Sequence, residues 1–237
     1  MKFEFIKSDS RGKANFGWLK SYHTFSFGSY YNPDRLGFGL LKVLNDDQVE
    51  PSKGFETHPH RDMEIVSIPL SGSLRHKDSV GNEILIAPGD VQIMSAGTGV
   101  QHSEFNGSDT ETVHFLQIWV MPEKRGIHPR YEQKFFSHLE RKNKFQTIVS
   151  PLNTSDEGVK INQQCYFSLV DLEPNKIITY NYNLSNNGIF VFNLSGSAKI
   201  ENQTLMDRDA IAIENADQID IKALEQTSLL IIEVPMS

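Results

Sequence analysis

This sequence predicts an all-β protein of two tandem halves joined by a short helical linker, and three observations carry that reading. Short runs rich in Val, Ile, Phe and Tyr recur between Gly, Pro, Asn and Asp along the chain, the punctuation of strands and turns. A segment repeats: residues 68–74 (IPLSGSL) resemble residues 192–198 (FNLSGSA), each reading as strand, glycine turn, strand. Between the two copies lies one polar stretch, residues 133–144, where Phe135, Phe136 and Leu139 recur at roughly helical spacing.

In the first half the strand-like runs fall at residues 38–45, 64–70, 83–87, 91–95 and 112–120. Those of the second fall at 189–194, 210–213 and 228–234, and their spacing suits a sandwich or a barrel. The repeat continues beyond the glycine turn. Pro88-Gly89-Asp90 has a counterpart in Asp207-Arg208-Asp209, and residues 117–122 have one in 231–235. The offset shrinks along the chain because a segment matching 95–114 is cut short in the second half. The expected domains are residues 1–135 and 136–237.

Composition narrows the function classes. With 38% hydrophobic and 22% charged residues the chain has the make-up of an ordinary globular protein. Its formal charge of −7 lacks the basic surplus that binding to a phosphate backbone requires, so no direct nucleic-acid partner is expected. No stretch approaches the run of about 20 apolar residues that spans a bilayer. The single Cys165 cannot form an intramolecular disulfide, and the opening residues lack an apolar signal core, so the expected compartment is the cytoplasm.

All eight histidines precede residue 139, so the two halves cannot share one chemistry. His58-Pro59-His60 is an H-x-H pair, and in an extended segment its imidazoles leave the backbone on the same face. His102-Ser103-Glu104 is a second i, i+2 pair. Two neighbouring strands would then aim four groups at one point. Three imidazole nitrogens and a carboxylate suit Fe, Mn, Ni, Cu, Co or Zn, with coordination positions left open for catalysis. Glu64 is a rival carboxylate on the even-numbered face, but four extended residues from His60 put it roughly 13 Å away, so Glu104 is preferred. Gly97 and Gly99, in the loop between the pairs, suit positive φ or a close backbone approach.

Other candidates divide by context. His23 either packs and hydrogen-bonds in its strand or lines the pocket. His76 and His114 lie on strand-like runs and read as structural, while His128 and His138 read as exposed. Met94, Phe115, Gln117 and Trp119 are placed beside the metal as lining or as core. Cys165 reads as a small buried hydrophobe without chemistry.

Residues 54–64 (GFETHPHRDME) resemble the first cupin motif, and Gly99, His102 and Asn106 resemble the second. More narrowly, THPHRDMEI (57–65), QIMSAGTGVQHSE (92–104), GIHPRYEQ (126–133) and GWLKSYHTFSF (17–27) resemble the pirin family of tandem cupins. The similarity covers residues 11–133; the second half matches in strand pattern alone. What the resemblance implies is a bicupin of two β-barrels, with one metal, most often iron as Fe(II), held in the first by His58, His60, His102 and Glu104. It also implies a quercetin 2,3-dioxygenase-like reaction between O₂ and a small aromatic substrate, with Glu104 taking the substrate's hydroxyl proton. The alternative it leaves open is a non-catalytic, redox-sensing regulator that binds a protein partner.

Overall fold

The computed structural model describes residues 1–237. Its alternating runs form strands throughout. In each half a seven-stranded sheet faces a four-stranded one. The large sheet of the first half runs, in spatial order, Arg130–Phe135, Asp90–Ser95, Glu64–Ser71, Val113–Val120, Leu41–Val49, Leu19–His23, Gly12–Asn15. Its small sheet runs Gly54–His60, Val100–Asn106, Leu74–Asp78, Glu83–Ile86. Neither pair of sheets closes into the barrel expected from the sequence. At Gly72 (φ 70°) and Gly97 (φ 46°) the chain turns sharply from one sheet into the other, and these corners interrupt the hydrogen-bond ladder. The architecture is the open sandwich of the cupin fold.

The predicted helix is also corrected. Arg130–Phe135 is an edge strand paired with Asp90–Ser95, and only a single 3₁₀ turn, His138–Arg141, follows. The edge of the large sheet offers Arg130–Phe135 ladder partners on Asp90–Ser95, and the chain takes that extended pairing in place of a helix.

The second half repeats the plan, with a seven-stranded sheet that includes Asn187–Ser195 and Thr227–Pro235 and a four-stranded sheet that includes Gln218–Ala223. Its outermost strand is Lys2–Ile6, which pairs antiparallel with Ala210–Glu214. In return Leu40 N–H donates to the carbonyl of Pro235. The halves are therefore laced at both ends.

The main core lies between the two large sheets. It gathers 28 buried residues, with Leu44, Leu116 and Ile118 from one half meeting Phe167, Phe190 and Leu230 from the other. Inside the second sandwich, 15 buried residues such as Ile189, Val191, Ile211 and Leu229 fill the space with hydrocarbon. The interior of the first sandwich holds only apolar clusters of six and four buried residues. Space that is aliphatic in one half is polar in the other, and there the chemistry resides. No helix of the protein is long and apolar enough to cross a membrane.

Candidate metal centre

Pairing register builds the site. The strand Gly54–His60 is hydrogen-bonded to Val100–Asn106, with His60 opposite Val100, His58 opposite His102 and Phe55 opposite Glu104. Between these last two pairs one strand advances three residues and the other two, a bulge at Glu56 and Thr57. A bulge switches the side-chain alternation. Phe55, His58 and His60 consequently all line one cavity of about 190 Å³. Gly54 starts this strand where backbones nearly touch: a Cβ there would lie 2.4 Å from the Glu104 carbonyl oxygen. At the loop between the sheets a Cβ on Gly97 would meet the Ile127 carbonyl at 2.1 Å, and Gly99 has φ 137°. Both glycines have the positive φ expected of them.

The imidazoles of His58, His60 and His102 converge, their ring centres 4.5–4.9 Å apart. His58 Nδ1 lies 2.7 Å from the Glu56 carbonyl, which can only accept, so Nδ1 carries the proton and the Nε2 lone pair is left free. His102 is buried, and neither of its ring nitrogens has a partner in the protein. Burial, then the neighbouring His58, holds His60 down to about 4. His102 is held to about 2, first by burial and then by His58, His60 and His76. Three packed imidazoles with an orphaned ring among them are a donor set for a cation.

Glu104 is fully enclosed. Its carboxylate accepts from the Gln117 amide at 2.7 Å and from the Ser67 hydroxyl at 3.3 Å. Burial raises its pKa to about 7, nearby Asp47 adds to the rise, and the two hydrogen bonds oppose it. No cationic side chain hydrogen-bonds it, so a divalent ion would supply the missing positive charge. Two overlapping groups of potential ligand atoms share His102: His58 with His60, and His76 with Glu104. His76 is committed elsewhere. Gln92 donates to its Nδ1 at 3.4 Å and its Nε2 donates to Asp78 at 3.3 Å, which leaves no free lone pair. Its ring packs 5.3 Å from that of His102. His76 thus stands inside the centre, a closer role than its sequence context predicted.

The wall facing these side chains comes from the large sheet. His23, Asn45, Gln117, Ser67 and Gln92 lie directly opposite one another across five adjacent strands, forming a polar row along the inner face. No H-x-H or H-x-E motif marks them. The available signal was polar residues at inward positions of strands otherwise rich in Leu and Val, as in Asn45 and Asp47 within Leu41–Val49. His23 lines the cavity, as do Gln117 and Trp119, whereas Met94 and Phe115 pack into apolar clusters beside it. Phe27 and His60 both meet the Trp119 ring edge-to-face. Glu64 is turned away from the cavity: its Oε2 accepts from Ser95 and from the Asn162 N–H of the second half. His114 sits on the outer face against Asp46, and His128 and His138 are exposed.

Tandem sandwiches with such a cluster in the first define a two-domain cupin protein carrying a divalent-metal site. Residues 5–120 match the family model described as Pirin, and residues 147–234 match that of the quercetinase C-terminal cupin domain. The chain belongs to the pirin family. It is 40% identical to the quercetin 2,3-dioxygenase of Escherichia coli (strain K12) over 229 residues, 97% of each chain. A pirin-like protein of Caulobacter vibrioides is 36% identical over 95% of this chain and 96% of its own. Among solved structures, the bacterial pirin YhhW of Escherichia coli in complex with nickel(II) superposes with a TM-score of 0.94 at 38% identity, covering all of both chains.

Proposed function

We propose that this pirin is a metal-dependent, ring-cleaving dioxygenase of flavonols such as quercetin, with His58, His60, His102 and Glu104 as ligands and Fe(II) as the working ion. The observation that carries the reading is the cavity, which joins potential ligands to an aromatic wall of Phe27, Phe55 and Trp119 suited to a flat ring system. At about 190 Å³ it is smaller than the pockets that enclose a whole drug-sized ligand, so only part of the substrate enters and the rest lies in the mouth. The relative named quercetin 2,3-dioxygenase supports the substrate class.

When bound, the ion supplies Lewis acidity for a substrate hydroxyl and an open position for O₂. Glu104 accepts the proton of the flavonol 3-hydroxyl. Gln117 and Ser67 fix its carboxylate in place for that transfer. Phe27, Phe55 and Trp119 orient the rings and exclude water. Opening of the central ring by O₂ would release one carbon as carbon monoxide. The second half, aliphatic inside, serves as the support against which the first is packed.

Oxygen uptake decides the matter. Untagged apoprotein is reconstituted anaerobically with Fe(II), Mn, Ni, Cu or Co in turn and mixed with quercetin, with His102→Ala as control. Uptake that requires both metal and His102, with stoichiometric flavonol loss, is the expected result. Confirmed metal loading without uptake above the variant would overturn it and transfer the reading to the non-catalytic regulator.

A further inference from the structure

Across the cavity from the histidines lies a second constellation that coordination does not use. His23 Nδ1, Asn45 Oδ1 and Asp47 Oδ1 are buried and have no hydrogen-bond partner in the protein. The three residues are 5%, 2% and 4% exposed, and all line the same cavity as His58 and His60. Buried polar atoms are almost always satisfied, so three orphans on one wall need an explanation. Their origin is regular. Asn45 and Asp47 are i, i+2 neighbours on Leu41–Val49, and His23 is paired with Asn45 on the adjoining strand. The fold presents them in one plane.

We propose that this wall is a recognition subsite for the hydroxyl groups of a polyphenolic ligand, with Asn45 Oδ1 and Asp47 Oδ1 as acceptors and His23 beside them. The inference rests on the flavonol reading and deepens it, because it states which flavonols the site prefers. The Asn45 amide oxygen accepts and does not donate, and the Asp47 carboxylate does the same when ionised, so together they select donors. Phenolic hydroxyls are such donors, and an aromatic ether or an unsubstituted ring is not. The two residues stand roughly 6.6 Å apart along the strand, a gap that hydroxyls in a 1,3 relation span better than vicinal ones. Phe27 and Trp119 beside them supply the apolar contact that the ring itself needs. A site that hydrogen-bonds a ligand hydroxyl rejects the analogue lacking it, since its own buried groups then stay unpaired.

The wall also bears on stability. Asp47 is enclosed, and burial raises its pKa to about 7, with Asp46 adding to the rise and contact with Ser21 opposing it. A carboxyl kept in such surroundings for a ligand is a liability to the free protein, and its apolar replacement is expected to preserve or raise Tm. A carboxyl needed by the fold would behave in the opposite way.

The experiment crosses three proteins with two ligands. Nickel-loaded wild type, Asp47→Leu and Asn45→Leu are titrated anaerobically by calorimetry with quercetin and with 3-hydroxyflavone, which keeps the 3-hydroxyl and lacks the others. Wild type is expected to prefer quercetin by at least about tenfold, and each variant to lose most of that preference, as removal of one hydrogen bond to a buried or charged acceptor implies. Because preference is a ratio within one protein, a general loss of affinity cancels. The same preference in all three proteins, or none in wild type, overturns the wall while leaving the flavonol reading standing. Failure of both flavonols to bind loaded wild type overturns the flavonol reading and the wall with it. A fall in Tm of several degrees in both variants would mark the residues as structural and overturn the assignment.

Discussion

Glu64→Gln is expected to stabilise the protein above neutral pH and to leave it unchanged in mild acid. The Glu64 side chain is wholly enclosed at the junction of the halves, with Ser95 and the Asn162 N–H bonded to Oε2 and nothing bonded to Oε1. Burial is the main cause that raises its pKa from 4.5 to about 7, against the lowering effect of both hydrogen bonds and of Arg130. The folded protein therefore binds a proton more tightly than the unfolded chain does. Stability from this group is complete below about pH 4.5 and is lost as pH rises through about 7. A difference of that size corresponds to about 3 kcal/mol at pH 8. Glutamine keeps an acceptor for Asn162 and never ionises, so it should recover about 2–3 kcal/mol there, or a Tm gain of roughly 4–12 °C. Denaturant and thermal unfolding of metal-loaded wild type and variant at pH 5 and pH 8 give the comparison, in which the metal's own contribution cancels. A variant less stable than wild type at pH 8, or a difference that does not change with pH, would refute the reasoning.

Three further outcomes are expected. Gly54→Ala places a methyl carbon 2.4 Å from the backbone of both Glu104 and Phe105, so the strands that carry the histidine cluster must part. A loss of about 1–3 kcal/mol in denaturant unfolding should accompany weaker nickel binding, and wild-type values for both would sink this account of the close approach. Gln117→Leu removes the 2.7 Å bond that orients Glu104, and chelator competition should show a drop in metal affinity of roughly 10–100-fold; unaltered affinity would show that this bond does not tune the metal site. Cys165 is fully buried and its thiol is pushed well above the usual range by burial, so a thiol reagent should label it only at the rate of global unfolding. Fast labelling of native protein would contradict that burial.

Those parts of the molecule set by local periodicity were legible from sequence. Strands announce themselves through alternation, and the H-x-H and H-x-E spacings put their side chains on a common face whatever the rest of the chain does. The convergence of His58, His60 and His102 follows from that periodicity together with one strand pairing. Residues 133–144 misled because two adjacent phenylalanines and a leucine fit a helical stripe as well as an edge strand followed by a turn, and only the vacant sheet edge decides between them. His76-Lys77-Asp78 and Asn45-Asp46-Asp47 are i, i+2 pairs as well, but what gives His76 and Asp47 their place comes from strands that neighbour them in space and not in sequence. The bulge at Glu56 and Thr57 is equally silent, being a property of two strands together. Sandwich and barrel share the same strand list and differ only in whether corner turns break the ladder.

The lacing of Lys2–Ile6 to Ala210–Glu214 has a consequence in time. Phe5 pairs with Ile211, and at a synthesis rate of 5–20 residues per second the later residue leaves the ribosome about 10–40 s after the earlier one. During that interval the leading strand waits unpaired, and so does the first half. Its large sheet meanwhile shows solvent the apolar face that Phe190 and Leu230 will cover. For this protein the last strands made are the ones that cover the first half and pair its leading strand, and a stalled or truncated chain would leave an open, adhesive flank.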